Sequence, residues 1–196
     1  MGPLVCKITA AGSVAALLLL TACVTPQTKG EPEPEPRKSP DVELAVRESE
    51  QKSKQGDFDG ALGVYDAALQ EYPGDRKLLK QYLEAVEDIR DAADDAFDHE
   101  EFARSGRTYA VLLRNYPHFK EIAGDLSFDR KYLRTRLKEC SDSLSKRALT
   151  QYRQGNIDAA ISLWKDILEF DPKNAGVKKA IETASTQLKN LKRKTE

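Results

Sequence analysis

The 196-residue sequence is short of the residues that build most catalytic and metal sites. It has two histidines, three cysteines and one tryptophan, and only 7% of its residues are aromatic. His99 sits in Asp98-His99-Glu100-Glu101, without the second histidine four positions away that a helical zinc site needs, and His118 has no metal or nucleophile pattern around it. Asp57-Phe58-Asp59-Gly60 begins like a calcium loop but lacks the third ligand and the closing glutamate. There is no glycine-rich phosphate loop, and no pair of carboxylates is set apart for acid–base work. The expectation is therefore a protein that is not an enzyme and carries no cofactor or metal. Charge of one sign is also missing: 31 basic residues face 32 acidic ones, for a net charge of −1. Nucleic acid, which calls for a strongly basic face, is excluded as a partner. With so few aromatics, a core must rest on Leu, Ala, Ile and Val.

Long hydrophobic runs are scarce too. The one present, residues 8–20, ends in Leu17-Leu18-Leu19-Leu20, and it is shorter than the ~20 residues a membrane-spanning helix requires. Lys7 precedes it and no acid occurs before Glu31, the layout of a secretory signal. The run closes with Leu20-Thr21-Ala22-Cys23, which resembles the lipobox of bacterial lipoproteins. That resemblance implies cleavage before Cys23, diacylglycerol on its sulfur and acylation of the new amino terminus. Two or three acyl chains make a stable anchor where one does not. Val24, rather than Asp, follows the cysteine, which by the same resemblance favours the outer membrane, facing the periplasm. Residues 25–40 alternate Pro and Glu (Glu31-Pro32-Glu33-Pro34-Glu35-Pro36), cannot bury apolar area and lean towards extended polyproline II, the composition of a spacer. With Cys6 in the signal and Cys23 lipidated, Cys140 stands alone. It reads as a small buried hydrophobe, with pairing between chains and a free thiol as alternatives.

From residue 41 on, helical periodicity dominates and three segments overlay. The first runs from Gly56-Asp57-Phe58 through Ala61 and Tyr65 to Tyr72-Pro73. The second runs from Glu100-Glu101-Phe102 through Ser105 and Tyr109 to Tyr116-Pro117. The third runs from Gly155-Asn156-Ile157 through Ala160 and Trp164 to Asp171-Pro172. Gly56 and Gly155 suit the left-handed end of a preceding helix, Asp57 and Asn156 suit N-caps, and the small residues suit close helix crossings. The prolines end each segment.

This punctuation resembles the second half of the tetratricopeptide repeat (TPR). The resemblance implies an all-α, TPR-like solenoid of three helix pairs with a C-terminal capping helix. The domain plan is a signal at 1–22, a lipidated cysteine and Pro-rich linker at 23–41, and a repeat domain at 42–196. Within it the repeats cover about 42–75, 76–119 and 126–174, with a cap at 175–193. The spacing departs from the family's period of about 34 residues: Pro73 to Pro117 is 44 and Pro117 to Pro172 is 55. Leu79, Leu83, Val86, Ile89, Ala93 and Phe97, then Leu133, Leu137, Cys140, Leu144 and Ala148, recur at helical spacing, which predicts lengthened first helices. A break near Gly124-Asp125, with Ser127 or Asp129 as the next cap, takes up the rest. The first helix of the first repeat fits least well, with Ser49 and Lys52 where the family prefers small and aromatic residues.

Carried onto this chain, the family's groove positions select Arg90, Asp94, Phe97 and Asp98 in the second repeat and Leu149, Tyr152 and Arg153 in the third. Such residues hold an extended peptide or a helix through a few anchors; for Phe97 and Tyr152 the competing role is inter-repeat core. Charge is uneven along the chain. Residues 84–101 carry Glu84, Glu87, Asp88, Asp91, Asp94, Asp95, Asp98, Glu100 and Glu101 against Arg90, and residues 130–138 carry Arg130, Lys131, Arg134, Arg136 and Lys138. These are two solvated faces, two faces that meet in neighbouring helices, or an acidic groove that selects a basic segment. The functional expectation is an outer-membrane-anchored adaptor that gathers other envelope proteins for assembly or secretion. A pilotin-like factor for secretin or pilus biogenesis, and a carrier or glycan-binding periplasmic module, are the alternatives.

Overall fold

The computed structural model describes residues 40–195, with side chains from 41 to 193. The signal, the lipidation site Cys23 and all but the last residues of the linker lie outside them. Seven α-helices follow one another among the described residues, with no strand: α1 (Pro40–Lys54), α2 (Phe58–Glu71), α3 (Arg76–Asp98), α4 (Phe102–Asn115), α5 (Arg130–Arg153), α6 (Ile157–Phe170) and α7 (Ala175–Thr195). A 3₁₀ helix (Tyr116–Glu121) opened by Pro117 lies between α4 and α5. The extra spacing of the second repeat is absorbed largely by α3, with 23 residues against 15 in α1, whereas that of the third is shared between α5, with 24, and the long connection 116–129 that holds the 3₁₀ helix.

Side-chain oxygens satisfy open amides at several helix starts. Asp57 accepts from Gly60 N at 3.0 Å, Asp75 from Leu78 N at 2.8 Å, Asp129 from Tyr132 N at 2.7 Å and Asn174 from Val177 N at 3.0 Å. Asn156 departs from expectation and makes no side-chain cap bond. Its amide instead donates to Gln151 Oε1 at 2.9 Å, back on α5. Gly56 (φ 78°) and Gly155 (φ 85°) end α1 and α5 in the left-handed region. The equivalent position in the second repeat holds Glu100, at φ 60°.

The three helix pairs keep one register, 44 residues apart and then 55. Ala61, Ser105 and Ala160 are each 0% exposed on the second helix of a pair, and Ser49, Ala93 and Ala148 face them from the first at no more than 1%. Small residues on both sides let the backbones approach, and the first two crossings are bonded in opposite directions. Ser49 Oγ donates to the carbonyl of Ala61 at 3.1 Å, whereas Ser105 Oγ donates to that of Ala93 at 2.8 Å. The third crossing has alanine on both sides. Ser49 is thus the small residue of the first crossing, so α1 fits the repeat better than its sequence suggests. One turn on, Tyr65, Tyr109 and Trp164 fill the space beside each crossing and are all buried.

Each pair packs on the next, α2 on α3, α4 on α5 and α6 on α7, so one core runs from Val42 to Ala184. On α3 the fully buried edge is Leu78, Tyr82, Val86, Ile89 and Ala93, with Leu79, Leu83 and Phe97 on its flank. Gly106 on α4 lies under the ring of Phe170 on α6, where a Cβ would come within 2.7 Å of ring carbon. Cys140 is 0% exposed and donates to Ser105 Oγ at 3.5 Å; burial raises its thiol pKa. No described helix is long and apolar enough to cross a membrane.

Candidate partner-binding groove

The first helices α1, α3 and α5 form the face on which the sequence-selected residues lie, and those residues divide into three groups. Arg90 and Asp94 hold the fold together. Asp94 accepts from Tyr132 Oη at 2.5 Å, Arg90 Nη1 at 2.9 Å, Arg136 Nη2 at 3.4 Å and the hydroxyl of Tyr109. Burial works to raise its pKa, but bonds from Tyr109, Tyr132 and Arg90 and the charge of Arg136 bring it below the usual carboxylate value. Glu87 is lowered in the same way: burial opposes ionisation, and Ser127 and Arg90 overcome it. Ser127 donates to Glu87 through both N and Oγ at 2.6 Å, and Arg90 Nη2 reaches Glu87 at 3.0 Å. This network ties α3, α4 and the loop before α5 into one unit. The acidic and basic stretches of the sequence therefore meet, in part, inside the molecule.

Phe97 and Tyr152 are half-buried and occupy equivalent positions at successive junctions. Phe97 packs edge-on against Phe102, with centroids 5.3 Å apart, and the Arg136 guanidinium lies 4.2 Å above its ring. Tyr152 packs on Trp164 at 5.9 Å and donates to Gln187 on α7. Their rings join the inter-repeat packing and are only partly covered by it.

Asp98 and Arg153 are exposed, and Leu149 is one of three large exposed hydrophobics among the described residues, at 45%. A charged residue near the end of each of α3 and α5, with an apolar side chain one turn back on α5, is suited to gripping a peptide by one oily and two charged contacts. His99 is exposed beside Asp95, whose carbonyl lies 2.8 Å from Nδ1, and that contact raises its pKa. Among the described residues no cluster could hold a metal ion.

Two features were not picked out by the sequence reasoning. One is the clamp on Glu100, whose strained backbone is held by Arg147: Nη1 bonds the Glu100 carbonyl at 3.1 Å, Nη2 pairs with its carboxylate, and the guanidinium covers Phe102 at 4.7 Å. The missing glycine in Glu100-Glu101-Phe102 was the available signal. The other is an open cleft of about 440 Å³ between α1 and α3, floored by Phe58, Tyr65 and Ile89.

Paired helices with equivalent crossings, a continuous core and a closing helix define an all-α repeat solenoid of the tetratricopeptide type. Residues 142–174, which span the second half of α5, α6 and the following turn, match the tetratricopeptide repeat family model. No curated protein matches the chain. Repeats of this type are as a rule non-catalytic modules that bind other proteins.

Proposed function

We propose that the chain is a lipid-anchored adaptor of the bacterial envelope that recruits protein partners through the face formed by α1, α3 and α5. The observation that carries this reading is the exposed trio Asp98, Leu149 and Arg153, set on a rigid three-pair scaffold whose neighbouring side chains are locked by packing and ion pairs. Rigid presentation lowers the ordering cost of binding. The signal-like run, Leu20-Thr21-Ala22-Cys23 and the Pro/Glu spacer support attachment through Cys23 to the outer membrane, facing the periplasm.

Crosslinking in native membranes followed by purification of the chain tests the proposal. Discrete protein partners are expected, and Asp98→Lys should reduce their recovery while the melting temperature stays constant, because Asp98 is exposed. Asp94→Lys is unsuited to the purpose, since that carboxylate holds α3 to α4 and α5. Recovery of glycan alone, with no protein, would replace the adaptor reading with that of a carrier.

A further inference from the structure

The common register of the helix pairs lets residues at one inter-repeat junction be matched with those at another. At the α3–α5 junction the Phe97 ring and the Arg136 guanidinium stack at 4.2 Å, and the guanidinium is held by Asp94 at 3.4 Å and Glu139 at 3.2 Å. Moved to the α1–α3 junction, Phe97 becomes Ser53 and Arg136 becomes Gln81, while the two acids are retained as Glu50 and Glu84. Arg147, which roofs Phe102, becomes Ala92. The aromatic ring and both guanidinium groups are gone; the two acids that hold Arg136 remain, whereas Glu100, the partner of Arg147, becomes Gly56, and an open cleft of about 440 Å³ lies at this junction.

The electrostatics agree with this comparison. The Tyr65 hydroxyl has a raised pKa, first from burial and then from the charges of Glu50, Glu84 and Asp88, which converge on it. The equivalent Tyr109 is also raised, by burial and by Asp94, but there the charge of Arg136 works in the opposite direction. Among the described residues no cation pairs with Glu50 or Asp88, and Glu84 has only the exposed Lys80 at 3.7 Å and the Gln81 amide. Lys54, also on the cleft wall, pairs with none of them.

We infer that the α1–α3 cleft takes an arginine flanked by an aromatic residue from a segment of a partner protein, in the place that Arg136 and Phe97 fill within the chain one junction along. This rests on the adaptor reading and adds the chemistry of the partner. A guanidinium fits better than an ammonium because its flat face can lie on the half-buried Phe58 while its edges reach two separate carboxylates.

The probe is acetyl-Phe-Arg-amide, titrated into the full chain in detergent micelles and followed by amide NMR shifts. Its neutral isostere, acetyl-Phe-citrulline-amide, serves as control. Saturable shifts at Ser53, Tyr65, Ala85 and Ala92 are expected, with the citrulline peptide about tenfold weaker or worse. Ser53→Phe/Gln81→Arg, which rebuilds the internal pair, should abolish binding without lowering Tm. Should that variant fail to fold, Glu50→Gln/Glu84→Gln removes exposed acids only and should weaken binding about tenfold. Equal binding of the two peptides, shifts centred elsewhere, or full binding by the variant that folds would overturn the inference. So would dissociation of a self-associated chain by the probe, which would make a second copy the occupant. If the probe fails while discrete partners are still crosslinked in membranes, this cleft assignment falls and the adaptor reading stands.

Discussion

Gly106→Ala puts the packing of α4 on α6 to a quantitative test, with Gly63→Ala as its internal control. Both glycines lie inside helices, where alanine is favoured by about 1 kcal/mol. Nothing lies within 4 Å of a Cβ built at Gly63, which is exposed on α2. At Gly106 the same atom would sit 2.7, 2.8 and 2.9 Å from three carbons of the Phe170 ring. Carbon pairs are at rest near 3.5–4.0 Å, so the ring must move by roughly 1 Å. Phe170 is 8% exposed and has little room to do so. Overpacking of this kind costs about 1–3 kcal/mol. Gly63→Ala should thus stabilise by up to about 1 kcal/mol, and Gly106→Ala should destabilise by about 1 kcal/mol after its propensity gain is subtracted. For a chain of this size each 1 kcal/mol moves Tm by about 2–4 °C. Thermal melts followed by circular dichroism at 222 nm will resolve the difference. In a Phe170→Leu background the ring is gone and Gly106→Ala should become stabilising. If Gly106→Ala raises Tm as much as Gly63→Ala does, α4 and α6 do not approach as described.

Acid should loosen the α3–α5 seam. The folded-state pKa of Asp94 lies below its unfolded value of about 3.9, so its stabilisation is complete above that pH and is lost as pH falls through the folded value. Urea midpoints of the native chain at pH 7, 5 and 3 should therefore fall most steeply in the last step, and Asp94→Asn should flatten that step; an unchanged pH profile would contradict the network. Asp94→Ala should cost about 2 kcal/mol at pH 7, because two tyrosine hydroxyls and two arginines lose a shared acceptor. At the left-handed turns, Gly155→Ala should destabilise by about 1 kcal/mol, while Glu100→Gly should leave Tm equal or slightly higher, strain relief outweighing an exposed ion pair worth about 0–1 kcal/mol. A clear fall in Tm for Glu100→Gly would mean that the Arg147 clamp contributes more than the backbone strain.

The repeat plan was legible in sequence because its marks are local. Glycine before an aromatic or aliphatic residue, a small residue three or four positions on and a proline at the end all act within one helical turn or at a helix end. Asp57 and Asp129 capped as their positions suggested. Asn156 did not, since a short amide has competing partners and Gln151 on α5 is one of them. What remained hidden depends on residues distant in sequence. Ser49 looked like a poor match because its value lies in a bond to Ala61 across the crossing. Glu100 concealed a left-handed turn because the residue that holds it, Arg147, is two helices away. The acidic stretch at 84–101 could be solvated, internal or a binding surface, and it is partly the second: Asp94 and Glu87 are engaged, whereas Asp98 stays open. The unfilled α1–α3 cleft emerges only when one junction is laid on another, a comparison that needs the register of all three helix pairs.

The adaptor account is tested most directly by site-specific photo-crosslinking in living cells of the source organism. A benzophenone side chain placed in turn at Asp98, Leu149 and Arg153 should yield the same discrete protein adducts, while placement at the exposed Ala67 or Lys165 on α2 and α6 should yield none. Adducts arising only from Ala67 or Lys165, or no protein adduct from any position, would contradict recognition through the face of α1, α3 and α5.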